Sequence, residues 1–353
     1  MKLSLFVHME RLDAAQSHRE LYREFIALCE MAEAGGLAAI WTGEHHGMDF
    51  TIAPNPFITI ADLARRTSSV RLGTGTVVAP FWHPIKLAGE AAMTDIICDG
   101  RLDIGIARGA YSFEYERLVG GMDAMAAGAR LREMVPLLKG LWAGDCAHSG
   151  PFWTFPATTS SPKPLQQPHP PIWVAARDPM SHDFAVANGC NVQVTPLASG
   201  DDEVKVLMGR FEAACTAHPE IERPRIMLLM HGFVGRDEAD CQRAAEDLKR
   251  FYCYFAAWFK NERPVRQALI QELTAAEMDL MENYAAPLMR RNQVIGTSEE
   301  VIRRLKNYEA LGYDEFSLWI DSGMTFARKR QSLKRFIEEV VPEFKEQAVG
   351  SRQ

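Results

Sequence analysis

The chain lacks any CxxC pair, although it holds seven cysteines at positions 29, 98, 146, 190, 215, 241 and 253. An odd, scattered set excludes a disulfide-stapled scaffold, and the thiols read as reduced and mostly buried in a cytoplasmic protein. Positive charge is also in short supply. Lys and Arg total 39 against 46 Asp and Glu, a formal net charge of −7, which disfavours a nucleic-acid partner. No run of like charges forms an acidic or basic tail. No apolar stretch approaches the roughly 18 residues that span a bilayer. The opening segment Met1–Val7 has too short an apolar region, and no small-residue cleavage site, for a signal peptide. The sequence has no internal repeat, and neither HExxH nor a carboxylate-spaced ligand set for catalytic zinc. No metal and no membrane partner are therefore expected.

What is present is a 353-residue chain that is 47% hydrophobic, enough for one large α/β domain or two average ones. Strand and helix patterns alternate. Lys2–Val7 reads as a strand. Ser17–Ala34 has apolar residues at helical spacing, with Ser17 as N-cap and Gly35-Gly36 as the stop. Strands are expected at Ala38–Thr42, Val70–Val78, Arg101–Ala107, Ile172–Ala175, Val192–Thr195, Ile226–Val234 and Glu315–Ile320. Helices are expected at Pro56–Arg66, Pro84–Cys98 and Leu131–Trp142. Eight short apolar strands with helices between them predict a parallel sheet closed as a (β/α)8 barrel. The alternative, a doubly wound open sheet, lacks its GxGxxG fingerprint after the first strand.

The expected organisation is one barrel domain over 1–345 and a tail over 346–353. Two segments break the rhythm. Residues 147–171 read as a hairpin and extended loop, and 261–293 as a lid-like insertion.

In such a barrel the active site lies at the C-terminal ends of the strands. Strand one leaves at His8-Met9-Glu10, and strand two at Trp41-Thr42-Gly43-Glu44-His45-His46. Imidazole gains or loses a proton near neutral pH, with an ordinary pKa of about 6.5, so two histidines at a strand exit suggest proton handling or metal ligation. Adjacent residues on extended chain point to opposite sides, which argues against one shared ion. Strand three carries Gly73-Thr74-Gly75-Thr76, where missing Cβ atoms let a flat ligand approach the backbone. Strand four ends in Ala107-Arg108-Gly109-Ala110-Tyr111 and aims a planar five-donor cation at the mouth. Each feature also has a plain structural alternative: loop histidines, an ion pair for Arg108, a rim salt bridge for Glu44.

Together these segments resemble the bacterial luciferase-like flavin monooxygenases, an FMN-linked (β/α)8 barrel family. The matching stretches are 41–46, Gly73–Val78 with His83-Pro84, Gly100–Tyr111, and Gly296-Thr297-Ser298. The resemblance implies that His45 is the active-site histidine, with Glu44 orienting it or bracing the rim. It implies that Arg108 binds the FMN phosphate and that a non-proline cis peptide at Gly75-Thr76 lies beneath the flavin ring. Ala107 stands where some relatives carry a reactive cysteine. The segment after strand five departs from the family, which leaves Arg177 and Ser181 as candidate second phosphate anchors.

The implied activity is that of an FMNH2-dependent monooxygenase working through a flavin C4a-peroxide, with reduced flavin supplied by a separate reductase. A small apolar substrate is expected against Phe6, Phe81 and Tyr111, undergoing aldehyde or ketone oxidation or hydroxylation. Alternatives are a deazaflavin-dependent oxidoreductase on the same barrel and a non-catalytic flavin-binding partner subunit. A homodimer is expected through the helices at 56–66 and 84–98, whose Ala88, Gly89, Ala91 and Ala92 would permit close helix approach.

Overall fold

The computed structural model describes residues 1–11 and 14–345; the tail expected over 346–353 lies outside them. The eight expected strands are present as β1 (Lys2–Phe6), β2 (Ala39–Thr42), β3 (Arg71–Thr74, continued by Val77–Val78), β4 (Leu102–Ala107), β5 (Ile172–Ala175), β6 (Asn191–Val194), β7 (Ile226–Val234) and β8 (Glu315–Trp319). Each pairs in parallel with its neighbour, and β8 returns to β1, so the sheet closes into the (β/α)8 barrel. The last three residues of β7 also pair with Val294–Gly296.

Side chains alternate along each strand, and the alternation sorts them into two hydrophobic cores. Leu3, Leu5, Leu102, Ile104, Ile106, Phe316 and Leu318 face outward and join the core between sheet and helices. Phe6, Trp41, Trp173, Met227, Phe233 and Trp319 face inward and fill the barrel and its mouth. Around the sheet run α1 (His18–Ala34), α2 (Pro56–Arg66), α3 (Pro84–Ile97), α4 (Ser112–Val119), α5 (Ala124–Ala143), α6 (Pro179–Ala187), α7 (Asp201–Ala217) and α8 (Glu238–Lys260). Ser17 and Glu20 form a capping box at the start of α1, the reciprocal arrangement that satisfies two otherwise unpaired N–H groups.

Three features differ from expectation. Strand three is interrupted at Gly75-Thr76, although the cis peptide bond there is the one the resemblance implies. Helix α5 starts at Ala124, seven residues before the expected Leu131, with Asp123 accepting from the Ala126 N–H at 2.7 Å. Its alanine-rich first turns are good helix formers but carry no apolar period. The third is a correction. Ala88, Ala91 and Ala92 are fully buried inside the chain, and the Ala88 carbonyl accepts from the Trp142 indole of α5 at 3.0 Å. These small residues let α3 approach α5, and offer no surface to another molecule. The apolar residues that α2 and α3 do expose are Ile58, Met93, Ile96 and Ile97.

In the lower half of the barrel the inward indoles meet carboxylates. Trp41 donates to Glu315 at 2.9 Å and Trp173 donates to Asp103 at 3.0 Å. Arg71 pairs with Asp103, and the Arg225 guanidinium lies over the Trp173 ring at 4.7 Å.

Candidate active site

Glu44 is buried and fully engaged. One carboxylate oxygen accepts from the Val78 N–H at 2.7 Å and the Trp82 indole at 2.8 Å, and the other meets His46 Nε2 at 2.7 Å. This hydrogen bond raises the His46 pKa above its ordinary value. Glu44 therefore stitches the exits of β2 and β3 together and anchors His46, without touching His45.

The acid beside His45 comes instead from α4. Glu114, in its first turn, lies 3.3 Å from His45 Nδ1 and accepts the His46 backbone N–H at 2.7 Å. The His45 N–H donates to the Ala53 carbonyl at 2.8 Å, which pins the loop that follows β2. A carboxylate on one ring nitrogen leaves the other as the working face, the usual device for fixing an imidazole's orientation. Sequence reasoning passed over Glu114. It sits in Phe113-Glu114-Tyr115-Glu116-Arg117, where two glutamates look alike and only helical phase tells them apart.

His8 packs edge-on against His45, ring centroids 5.6 Å apart. Its Nε2 accepts the Gly43 N–H at 3.1 Å. Burial, then the nearby His45, push its pKa well below the ordinary value, so the ring is neutral with its proton on Nδ1. That Nδ1 is buried and has no partner among the described residues. The His8 backbone N–H donates to Asp321, and Lys329 bridges Asp321 and Glu10. This buried network ties the exits of β1 and β8. Burial lifts Glu10 to about 7, more than the opposing pull of Lys329 lowers it.

The strand-three glycines are occupied in a way the sequence did not suggest. A Cβ on Gly73 would lie 2.2 Å from the Trp41 ring, and one on Gly75 would lie 2.7 Å from Phe6. They make room for the protein's own aromatics, while Gly75 and Thr76 stay partly exposed.

Ala107 ends β4 on the inward face, and Arg108 follows it, exposed. Tyr115 Oη donates to the Arg108 carbonyl at 2.6 Å and fixes the turn, where Gly109 adopts φ +90°. The Arg108 guanidinium donates to the Ala124 carbonyl at 3.2 Å and makes no ion pair among the described residues. The two second-anchor candidates are committed locally. Arg177 pairs with Glu203 at 3.5 Å. The Ser181 hydroxyl donates to the Asp178 carbonyl at 2.7 Å and accepts the Arg177 N–H, within the first turn of α6. Among the described residues no group of three metal-ligating side chains comes together.

Above the strands, aromatic rings form a closed circuit. From His8 it runs to Trp319 (6.4 Å between centroids), on to His231 stacked at 3.9 Å, and to Tyr252 at 5.2 Å. It continues through Phe255 and Tyr111, each step 5.9 Å, and returns to His45 at 5.4 Å. Tyr111 thus belongs to the circuit and Phe6 packs edge-on against its His8 and Trp319, whereas Phe81 packs on His46 and Tyr115, outside the circuit. His231 and Trp319 are register partners on β7 and β8. A histidine inside an otherwise apolar strand was the available signal for this pair. The segment 261–293 folds as a small hairpin (Val265–Arg266 with Leu269–Ile270) followed by α9 (Ala275–Asp279) and α10 (Ala286–Asn292). Its Ile270, Leu273 and Met289 pack into the mouth cluster, and its Tyr284 stacks on Tyr252.

The family model for luciferase-like monooxygenases matches residues 1–315. The flavin-dependent trigonelline monooxygenase oxygenase component of Acinetobacter baylyi is 64% identical over 352 residues, covering 100% of this chain and 98% of the relative. An alkanal monooxygenase alpha chain of Photorhabdus luminescens is 25% identical over 188 residues, 53% of this chain and 51% of its own. Among solved structures, monooxygenase RslO1 from Streptomyces bottropensis superposes with a TM-score of 0.82 at 26% identity, over 98% of this chain and 100% of that one. The oxygenating constituent of 3,6-diketocamphane monooxygenase from Pseudomonas putida, in complex with FMN, shares the fold with a TM-score of 0.76 at 18% identity, over 97% and 98% of the two chains.

Proposed function

The chain belongs to the luciferase-like monooxygenase family, and on that premise we propose that it is the oxygenase half of a two-component, FMNH2-dependent system acting on a substrate of trigonelline's kind, an N-methylated pyridine carboxylate. Identity of 64% along the whole chain to an oxygenase component named for that substrate carries the proposal. The deazaflavin alternative rests on neighbours at 15–16% identity and is not favoured. Nor is a silent partner subunit, since the 64% identical relative is itself named an oxygenase component.

The residues present fit FMN. Arg108 is an exposed guanidinium without an acidic partner, suited to a phosphate. The partly exposed Gly75-Thr76 backbone and Phe6 offer a floor to a flat ring. Reduced FMN, when bound, supplies the two electrons that let one atom of O2 enter the substrate while the other leaves as water. His45, held by Glu114, presents its free ring nitrogen to hold or move a proton during that exchange. The 261–293 segment acts as a lid that excludes water, in line with its packing on the mouth cluster.

The test is anaerobic titration with reduced FMN, then exposure to oxygen with trigonelline present. Expected are saturable binding and a product carrying oxygen from O2. In Arg108→Ala the affinity for reduced FMN falls about tenfold or more, the worth of a lost charge-assisted contact. Reoxidation identical to that of free reduced FMN, with no product, overturns the proposal.

The protein is further proposed to be a cytoplasmic homodimer. All seven cysteines are free thiols, which suits a reducing compartment. No described helix is long and apolar enough to cross a membrane. Ile58 (71% exposed), Met93, Ile96 and Ile97 give α2 and α3 an apolar outer face, and such faces mark contact surfaces. Light scattering at micromolar concentration should give twice the chain mass, and Ile58→Asp with Met93→Lys should return the monomer.

A further inference from the structure

We propose that His8 Nδ1, Trp319 Nε1 and Tyr252 Oη form the set that receives the substrate's carboxylate; this rests on the function proposed above and names its recognition chemistry.

All three are hydrogen-bond donors. Trp319 Nε1 can do nothing else, and His8 has its Nε2 committed to Gly43, which leaves the proton on Nδ1. All three atoms are buried without a partner among the described residues, as are both ring nitrogens of His231 between Trp319 and Tyr252. The side chains that carry them are 5%, 8% and 1% exposed. Buried donors are almost always paired, because leaving one unpaired forfeits its hydration with nothing in return. Three of them in one aromatic neighbourhood, bridged by His231 stacked on Trp319 and set against Tyr252, outnumber the single acceptor nitrogen that a neutral His231 adds, and an entering anion can take up the surplus. A carboxylate has two oxygens with about four lone-pair sites and is the compact ligand that satisfies several donors at once.

The rest of the circuit suits the other end of such a molecule. Tyr111 and Phe255 offer ring faces to a planar cationic ring, which aromatic quadrupoles attract. Phe255 is only half-buried, and Phe259, stacked beside it, is 55% exposed. Large aromatics left partly in water beside the donors mark the side from which a flat ligand enters. The pocket that the sequence suggested was purely apolar; the structure adds polar groups that an aldehyde or a hydrocarbon would leave unpaired.

The experiment compares N-methylnicotinate with N-methylnicotinamide, the same cationic ring without the carboxylate charge. Both are assayed with protein supplied with reduced FMN, in the unaltered chain, Tyr252→Phe and Trp319→Phe. Tyr252→Phe keeps the ring and deletes only an unpaired hydroxyl, so it guards against misfolding of the tryptophan variant. We expect KM for the carboxylate to rise about tenfold or more in each variant, the ordinary worth of a hydrogen bond to a charged group. The amide should change little, and kcat for the carboxylate far less than KM. Equal losses on both compounds, or no change in KM, overturn the inference. Weakened binding of reduced FMN in the variants also overturns it, by assigning the donors to the flavin. Failure of the unaltered chain to bind N-methylnicotinate in equilibrium dialysis does the same, while saturable binding of reduced FMN and a reoxidation unlike that of the free flavin, measured separately, tell whether the monooxygenase function still stands.

Discussion

The two halves of the barrel interior use the same residue type to opposite ends. Below, the indole N–H groups of Trp41 and Trp173 are matched to Glu315 and Asp103, and arginines lie beside Asp103. Above, Trp319 faces inward on the same sheet with its N–H unpaired, next to unpaired groups on His8 and Tyr252. A satisfied polar network holds a unique arrangement of strands, and an unsatisfied one waits for a ligand. On the proposals above, the lower half serves stability and the upper half chemistry.

The comparison can be broken most severely from below. Asp103→Ala leaves the Trp173 indole without its acceptor and takes the carboxylate from Arg71, which is about a third exposed and keeps the Leu102 carbonyl and Gln166. It should cost about 1–3 kcal/mol, the range for leaving a buried donor unsatisfied, read by chemical denaturation. Reduced FMN affinity of the folded fraction should hold.

From above, His45→Ala should lower turnover about hundredfold or more, as loss of a general acid–base group does, with the unfolding curve nearly unchanged. Glu114→Gln should fall between that variant and the unaltered chain, and its pH–rate profile should shift, because the amide no longer fixes the same His45 tautomer. An unchanged profile would return the orienting role to another group.

Acid offers a third handle. Burial holds His8 and His231 well below the ordinary histidine value. As pH drops past about 6.5 the unfolded chain takes up protons that the folded chain refuses. Stability should then fall by up to about 1.4 kcal/mol per pH unit for each such histidine. His46 works the other way. Its raised pKa adds stability that is fully present below the unfolded value and lost as pH rises through the folded one. Denaturation at pH 5, 6 and 7.5 should show a net acid loss that shrinks in His231→Phe.

The smallest effect is the most diagnostic. Tyr252→Phe should change stability by less than about 1 kcal/mol, or raise it, since it removes a buried hydroxyl that has no partner. A large loss would mean that the upper half is satisfied in some way resembling the lower.

Much of this was legible in the order of residues. The strand pattern named the eight barrel strands, and the exits of β2 and β4 offered His45 and Arg108 as the proposed site residues. What escaped were contacts whose partners lie far apart in sequence. Glu114 reaches His45 across 69 positions, from a helix whose charges all look solvated. The glycines at 73 and 75 suggested access for a ligand, yet their missing Cβ atoms make space for Trp41 and Phe6. The small residues of α3 suggested an outer interface, yet Ala88, Ala91 and Ala92 are buried within the chain, Ala88 against Trp142 of α5.

The sequence alone determined the barrel, because period-2 strands and period-3.6 helices are local properties of the chain. It also pointed to the strand exits as the proposed site, because polar and glycine residues cluster where the strands leave the sheet. Only the tertiary structure decided which acid serves which histidine, which aromatic fills which gap, and which buried donors go without a partner. Those are facts of closure. They arise when β8 returns to β1 and brings residues some 300 positions apart to within hydrogen-bonding distance, and nothing in the local pattern encodes who meets whom there.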